Sequence, residues 1–220
     1  MRTLHITDQP IHITYRLYGS IPNLPLQQLH HAHQLKRLRA QRALHEVEQR
    51  GEAHLLSQHR KALQQTELDH YLQYDQLLDY PTGGPQYLAG PDEKALVISS
   101  WQTIATLHGL HPYAISVMDN HVHVLVESKH RDRPVSLPLI LEKHKRYTGR
   151  LLNQLHQTPG RRVWAEKEYS RTVRSGCFEQ VLWYVLNNPV KAGITKQPLR
   201  WVGNWWAEEL YETFIAARVA

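Results

Sequence analysis

The stretch Asp119-Asn120-His121-Val122-His123-Val124-Leu125-Val126-Glu127 constrains the fold more than any other. A polar pair suited to a tight turn runs directly into alternating side chains, the pattern of a strand and not of a helix. Successive side chains on a strand point to opposite faces, so Val122, Val124 and Val126 share one face and His121 and His123 the other. The valine face must be buried against other elements. The histidine face has two readings. Two imidazoles at this spacing on a rigid strand can hold one divalent metal ion; they can equally be polar residues on the solvated side of a half-buried sheet. The motif alone leaves both open.

The neighbouring segments supply the partners such a strand needs. Pro112 to Met118 reads as a strand with Ile115 and Val117 on one face. Asp119-Asn120 then forms a hairpin turn of the kind that tolerates positive φ, and the His-x-His strand returns antiparallel. Ile11 to Tyr18 alternates as well, with Ile11, Ile13, Tyr15 and Leu17 opposite His12, Thr14, Arg16 and Tyr18. Asp92 caps a helix over Glu93 to His108, whose Leu96, Val97, Trp101, Ile104 and Leu107 recur at helical spacing, and Gly109 closes it. A second helix runs from Leu137 to Gln154, mixing Leu139 and Ile140 with Lys143, Lys145, Arg146 and Arg150. Arg161 to Arg174 is extended and basic. Phe178 to Asn187 is a helix that stops at Asn188-Pro189, because proline disfavours the helical state in the residue before it. Its Phe178, Val181, Leu182 and Val185 form an apolar stripe, with Tyr184 and Asn188 four apart on one flank.

Strand, helix, strand, strand, helix, strand is the order of an α+β fold with a ferredoxin-like antiparallel sheet, the split β-α-β arrangement. Helices cover one face of such a sheet, the face that takes the valines. The histidines face the other way, where the helix from Phe178 can cover them.

Residues 25–79 interrupt this pattern after the first strand. They are polar and helical, with a thin stripe of Leu29, Ala32, Leu35, Leu38, Leu44 and Val47 and a surface crowded by Lys36, Arg37, Arg39 and Arg42. Gly51 separates a second helix, and Thr66-Glu67-Leu68-Asp69 predicts a capping box that opens a third. Pro81-Thr82-Gly83-Gly84-Pro85 is turn chemistry. We read 1–220 as a single domain with 25–79 as a basic helical insertion, which either packs by its thin seam or lies along a nucleic-acid backbone.

Composition narrows the setting. The single cysteine, Cys177, excludes an internal disulfide framework and cysteine-rich zinc sites. No apolar run is long enough to span a membrane, and no signal-peptide pattern opens the chain, so a cytoplasmic protein with no membrane partner is expected. A net charge of +6, with 16 histidines that can add to it, favours an anionic partner, and nucleic acid is the commonest.

Four segments together resemble the single-tyrosine transposases of the HUH endonuclease superfamily, in particular the branch associated with repeated extragenic palindromes in bacteria. They are Ile13 to Ser20; Met118 to Leu125; Val163-Trp164 with Tyr169-Ser170-Arg171-Thr172-Val173-Arg174; and Tyr184-Val185-Leu186-Asn187-Asn188-Pro189-Val190-Lys191-Ala192-Gly193-Ile194. The resemblance implies that His121, His123 and Asn188 bind Mg²⁺ or Mn²⁺ and that Tyr184 is a nucleophile forming a 5′-phosphotyrosine intermediate. It implies single-stranded DNA beside a hairpin as substrate, nicked and rejoined by strand transfer as in transposition. Lys143, Lys145, Arg146, Arg161, Arg162, Arg171, Arg174 and Lys191 are the candidate phosphate contacts. Trp201, Trp205 and Trp206 could stack bases or, more simply, pack the tail. Two features depart from the family pattern: Asp119 stands where proline is frequent, and the insertion is longer than in compact members.

Three other readings compete. His121-x-His123-x-x-x-Glu127 matches part of a cupin-like metal site, although the flanking glycines are absent and the chain is too helical. A non-cleaving nucleic-acid-binding protein with the same fold would keep the basic surface without the chemistry. A structural or regulatory protein would use the long basic helices to bind a partner protein. Monomer and homodimer are equally compatible with the sequence, as is action of Tyr184 within or between subunits.

Overall fold

In the computed structural model, which describes residues 4–79 and 84–216, the chain divides into two compact units. Residues 21–79 belong to one, and residues 4–20 with 85–216 to the other. The turn expected from Pro81 to Pro85 falls mostly outside the described residues.

The smaller unit is a pair of long helices, α1 (Asn23–Gln49) and α2 (Ala53–Asp79). Gly51 joins them at φ +68°, a left-handed conformation that favours glycine. Their buried contacts are few: Ile21, Leu29, Tyr74 and Leu78 form a small cluster, while Leu35 and Leu38 are each 44% exposed. The separate third helix expected at Thr66 is absent, because α2 runs through it. Nothing between Ala53 and Asp79 is glycine or proline, so no residue removes a ladder hydrogen bond or prefers to leave the helix. Thr66 bonds back to its own helix, its Oγ1 donating to the Ala62 carbonyl at 3.0 Å, instead of capping a new one.

The larger unit begins with β1 (His5–Ile6) and β2 (Ile11–Arg16), then resumes at α3 (Pro91–His108), β3 (Leu110–Val117) and β4 (His121–Ser128). It continues through β5 (Val135–Ser136), α4 (Leu137–Leu155), β6 (Tyr169–Thr172), α5 (Phe178–Leu186), the short α6 (Asn188–Lys191) and β7 (Asn204–Trp206). β1 and β5 make a small antiparallel pair, and the main sheet has the order β6-β2-β4-β3-β7, antiparallel at every junction. The unit is thus a mixed α/β structure with antiparallel sheets.

Alternation decides what each face of the main sheet meets. Ile11, Ile13 and Tyr15 of β2 and Val122, Val124 and Val126 of β4 are fully buried with Val97, Trp101 and Ile104 of α3 and Ile140, Leu141 and Leu152 of α4. On the other face, Leu125 of β4 and Ala114 of β3 pack with Leu182, Val185 and Leu186 of α5, and with Leu210 and Ile215 from the tail. The sheet is therefore covered on both sides. Leu107, expected on the buried stripe of α3, is 73% exposed, and Ala105 is buried in its place. Gly109 ends α3 at φ +63°, and a Cβ there would press against the His130 ring at 2.8 Å.

The hairpin between β3 and β4 differs from expectation. Met118 N–H donates to the His121 carbonyl at 2.9 Å, closing a two-residue loop. Asp119 and Asn120 nevertheless keep negative φ, since Gln157 is the one non-glycine residue with positive φ among the described residues. Their polarity serves side-chain bonds instead. Asp119 Oδ1 accepts from Lys94 Nζ at 2.9 Å, a buried lysine that also donates to the carbonyls of Leu88 and Ala89. Among the described residues no helix is long and apolar enough to cross a membrane.

Candidate metal and nucleophile site

β4 lies in the middle of the main sheet, and its register sets what surrounds the two histidines. Thr14 stands opposite His123 and Arg16 opposite His121 across the β2–β4 pair, while Ser116 of β3 stands opposite His123 on the other side. One strand further, Tyr169 and Arg171 of β6 pair with Thr14 and His12. Directly opposed residues share a face, so His12, Thr14, Arg16, His121, His123, Tyr169 and Arg171 all belong to the face covered by α5.

His121 and His123 are 1% and 0% exposed, which removes the reading that they are solvated surface residues. Their ring centroids are 4.8 Å apart and nearly perpendicular. His121 Nδ1 lies 2.6 Å from Asn120 Oδ1. An amide oxygen only accepts, so Nδ1 carries the proton and Nε2 keeps its lone pair. His123 Nδ1 lies 3.0 Å from Thr14 Oγ1 and 3.1 Å from His12 Nε2. His12 also stacks on His123, with ring centroids 5.3 Å apart and planes 22° from parallel.

α5 brings its tyrosine to this group. The Tyr184 ring centroid is 5.7 Å from that of His12 and 6.2 Å from that of His123, edge-on to both. Lys191 Nζ stands 5.5 Å from the Tyr184 ring centroid. Asn188 follows one helical turn later and is fully buried. Its Nδ2 donates to the Tyr184 carbonyl at 2.9 Å, satisfying one of the carbonyls that a helix leaves open at its end. Asn188 Oδ1 is buried and accepts no hydrogen bond among the described residues. A buried amide oxygen in that condition is costly unless something positive meets it. Proline does more than stop the helix here: α5 ends at Leu186, and a single turn restarts at Asn188 with Pro189 in its first positions.

The donor set fits a divalent cation. His121 and His123, each with Nδ1 engaged, are nitrogen donors of the kind Mn²⁺ and similar ions accept, and the buried amide oxygen of Asn188 is an oxygen donor of the kind Mg²⁺ accepts.

The basic residues singled out from sequence fall in two places. Arg146, Arg161 and Arg162 line a groove of about 510 Å³ between α4 and the segment before β6, together with Lys145, Arg150 and Trp164. Arg161 lies over the Tyr87 ring at 3.6 Å and Arg162 over the Tyr18 ring at 4.3 Å, which presets both guanidinium planes. Lys145 is largely committed internally: it is 13% exposed, donates to the carbonyls of Ala165 and Glu166, and pairs with Glu168 at 3.6 Å. Lys143 is exposed and donates to His108 Nε2 at 3.3 Å, and Arg174 is exposed before α5. Arg171 and Lys191 are the two near the histidines and the tyrosine. The tail tryptophans serve packing: Trp205 and Trp206 form β7 against β3, and Trp201 Nε1 donates to the Val117 carbonyl.

Two residues of the site were not singled out from sequence, His12 and Thr14. Their alternation had placed them on one face of the first strand, but which strand they would oppose, and at what register, was not readable.

No protein-family model matches the chain, and no curated protein matches it. Among solved structures the chain is similar to a REP-associated tyrosine transposase bound to a REP hairpin, at 11% sequence identity and a TM-score of 0.49, over 100% of this chain and 87% of that one. At that degree of likeness the chemistry of the site stands on its own side chains.

Proposed function

We propose that this protein is a metal-dependent, tyrosine-nucleophile endonuclease and strand transferase of the HUH type, acting on single-stranded DNA beside a hairpin. The observation that carries the proposal is the approach of Tyr184 to the paired histidines, with ring centroids 6.2 Å apart at His123. The order β6-β2-β4-β3 supports reading the frame as the ferredoxin-like split β-α-β, with the tyrosine helix laid across the open face. The four sequence segments that resemble the HUH transposases include Thr14, His121, His123, Arg171, Tyr184 and Asn188.

In this reading His121, His123 and Asn188 hold Mg²⁺ or Mn²⁺. When bound, the ion would neutralise a non-bridging phosphate oxygen and make phosphorus more electrophilic. Tyr184 supplies the attacking oxygen. Its phenolic oxygen forms a bond to phosphorus as the bond from phosphorus to the 3′ oxygen breaks, and the phenol proton is balanced by the proton gained at the new 3′-OH. The product is a 5′-phosphotyrosine, which a second 3′-OH can attack to join strands and release the tyrosine. In this reading Lys191, beside the Tyr184 ring, and Arg171, opposite His12 in register, pair with the phosphodiester, while Arg146, Arg161 and Arg162 offer a backbone track further along the same unit.

Nicking of end-labelled, hairpin-flanked single-stranded DNA in Mn²⁺ tests this directly. Wild type should nick; Tyr184→Phe should lose the product by at least about 100-fold, as when a nucleophile is removed, and His123→Ala by at least about 10-fold. Binding without nicking by wild type would favour the non-cleaving protein instead.

A further inference from the structure

We infer that His12 and Thr14 are positioning residues for His123: together they hold its Nδ1 as the hydrogen-bonded nitrogen and set its Nε2 as the one that would bind the metal. This rests on the metal reading of the site. β2 is clamped between β4 and β6, and its register sets Thr14 opposite His123 with His12 two residues along on the same face. A hydroxyl oxygen at 3.0 Å and an imidazole nitrogen at 3.1 Å therefore converge on one ring nitrogen. His12, Thr14 and His123 are all buried, and the His12 ring is stacked on that of His123, so the imidazole is restrained in plane and in rotation.

The chemistry follows from which nitrogen is taken. With the proton on Nδ1, His123 donates to its two neighbours and keeps the Nε2 lone pair. With the proton on Nε2, it could bind no cation there. His12 accepts through Nε2 in the first case and so carries its own proton on Nδ1. The neighbouring ligand reaches the same state by a different route, since His121 Nδ1 meets Asn120 Oδ1. Both histidines thereby offer Nε2, each held by a partner outside the metal's own ligand set. Such partners commonly account for 10–100-fold in metal affinity.

The test measures Mn²⁺ binding to the full chain by titration calorimetry and electron paramagnetic resonance, with melting curves of the metal-free proteins alongside. His12→Leu should weaken Mn²⁺ binding by roughly 10–100-fold with little change in melting temperature. His12→Gln, whose Oε1 accepts near the place of Nε2, should recover most of the loss. Long-range ¹⁵N–¹H correlation spectra of metal-free wild type should show His123 protonated at Nδ1. A folded His12→Leu that binds Mn²⁺ as tightly as wild type, when wild type binds, overturns this inference alone. Protonation of His123 at Nε2 in wild type overturns it even if His12→Leu fails to fold. A wild type that binds no Mn²⁺ overturns the metal reading and this inference with it.

Discussion

The imidazole of His144, on α4, lies inside a closed set of hydrogen bonds far from any metal ligand in sequence. Its Nε2 is 2.7 Å from the Tyr15 hydroxyl, its Nδ1 is 2.9 Å from Ser100 Oγ, and Trp101 Nε1 donates to the Tyr15 oxygen at 2.9 Å. The bonds run in one direction only if the ring is neutral: the tyrosine donates to Nε2 and Nδ1–H donates to the serine. Burial, and then the charge of Lys145, push its pKa from 6.5 down to about 3. The unfolded chain takes up a proton here below about pH 6.5, whereas the folded chain holds out until about pH 3. This contribution to stability is complete above pH 6.5 and is lost as the pH falls through that window, by up to about 1.4 kcal/mol per pH unit. Urea unfolding between pH 4 and 7 should therefore show a shallower acid decline for His144→Gln than for wild type, and equal slopes would contradict the assignment. His144, Ser100 and Tyr15 belong to three different elements, so this set was not legible in the sequence. His121, His123, Tyr184 and Asn188 were legible as residue types at informative spacings. The helix from Phe178 was legible as a cover for the histidine face, but how closely it packs there was not, because alternation assigns a face without setting the distance to what covers it.

At the scale of elements, α5 carries Tyr184. It is seated by Leu182, Val185 and Leu186 against Leu125 of β4, and its last carbonyls are answered from outside the helix. Asn188 Nδ2 reaches the Tyr184 carbonyl, and Asn204 Nδ2 donates to the Leu186 carbonyl at 2.8 Å. Leu182→Ala should cost about 2–5 kcal/mol, the range for truncating a fully buried leucine, as read by urea unfolding at neutral pH. A loss below about 1 kcal/mol would show that α5 is not held by this seam. The helices over 91–108, 137–155 and 178–186 were readable because their apolar periodicity is supported by breakers at their ends. The helix break imagined at Thr66 was not real, since a capping sequence without a glycine or proline before it gives the backbone no reason to leave a helix already propagating. Likewise, Asp119-Asn120 marked a turn but not its backbone conformation, nor the bond from Lys94 to Asp119 that only the folded chain provides.

Across the whole chain, each unit has hydrophobic clusters of its own: Ile21, Leu29, Tyr74 and Leu78 in the helical pair, and the two clusters on either face of the main sheet in the other. A chain in which residues 23–79 are replaced by a short glycine-serine linker should keep a cooperative thermal transition. Loss of that transition would mean that the sheet unit depends on the helical pair. Net charge of +6 is a property of the same scale, and on the proposed function it would show in the salt dependence of DNA binding. Each single-strand phosphate contact contributes about −0.7 to the slope of log K against log salt, so Arg146→Gln and Arg162→Gln should each flatten that slope by about 0.7. An unchanged slope would remove the groove on α4 from the DNA path. The antiparallel pairing of β3 and β4 could be anticipated from the succession of elements, because strands this close in sequence are joined as a hairpin. The side chains that converge across strands, His12 and Thr14 on His123, required the register itself.

On the proposed mechanism Tyr184 becomes covalently attached to the 5′ side of a DNA break. The direct measurement incubates the protein with a labelled hairpin-flanked single strand and Mn²⁺, denatures it, and maps any protein–DNA adduct by peptide mass spectrometry. A phosphonucleotide on the peptide containing Tyr184, absent from Tyr184→Phe and from reactions with chelator, is the predicted result. An adduct on another residue, or one that persists in Tyr184→Phe, would contradict it.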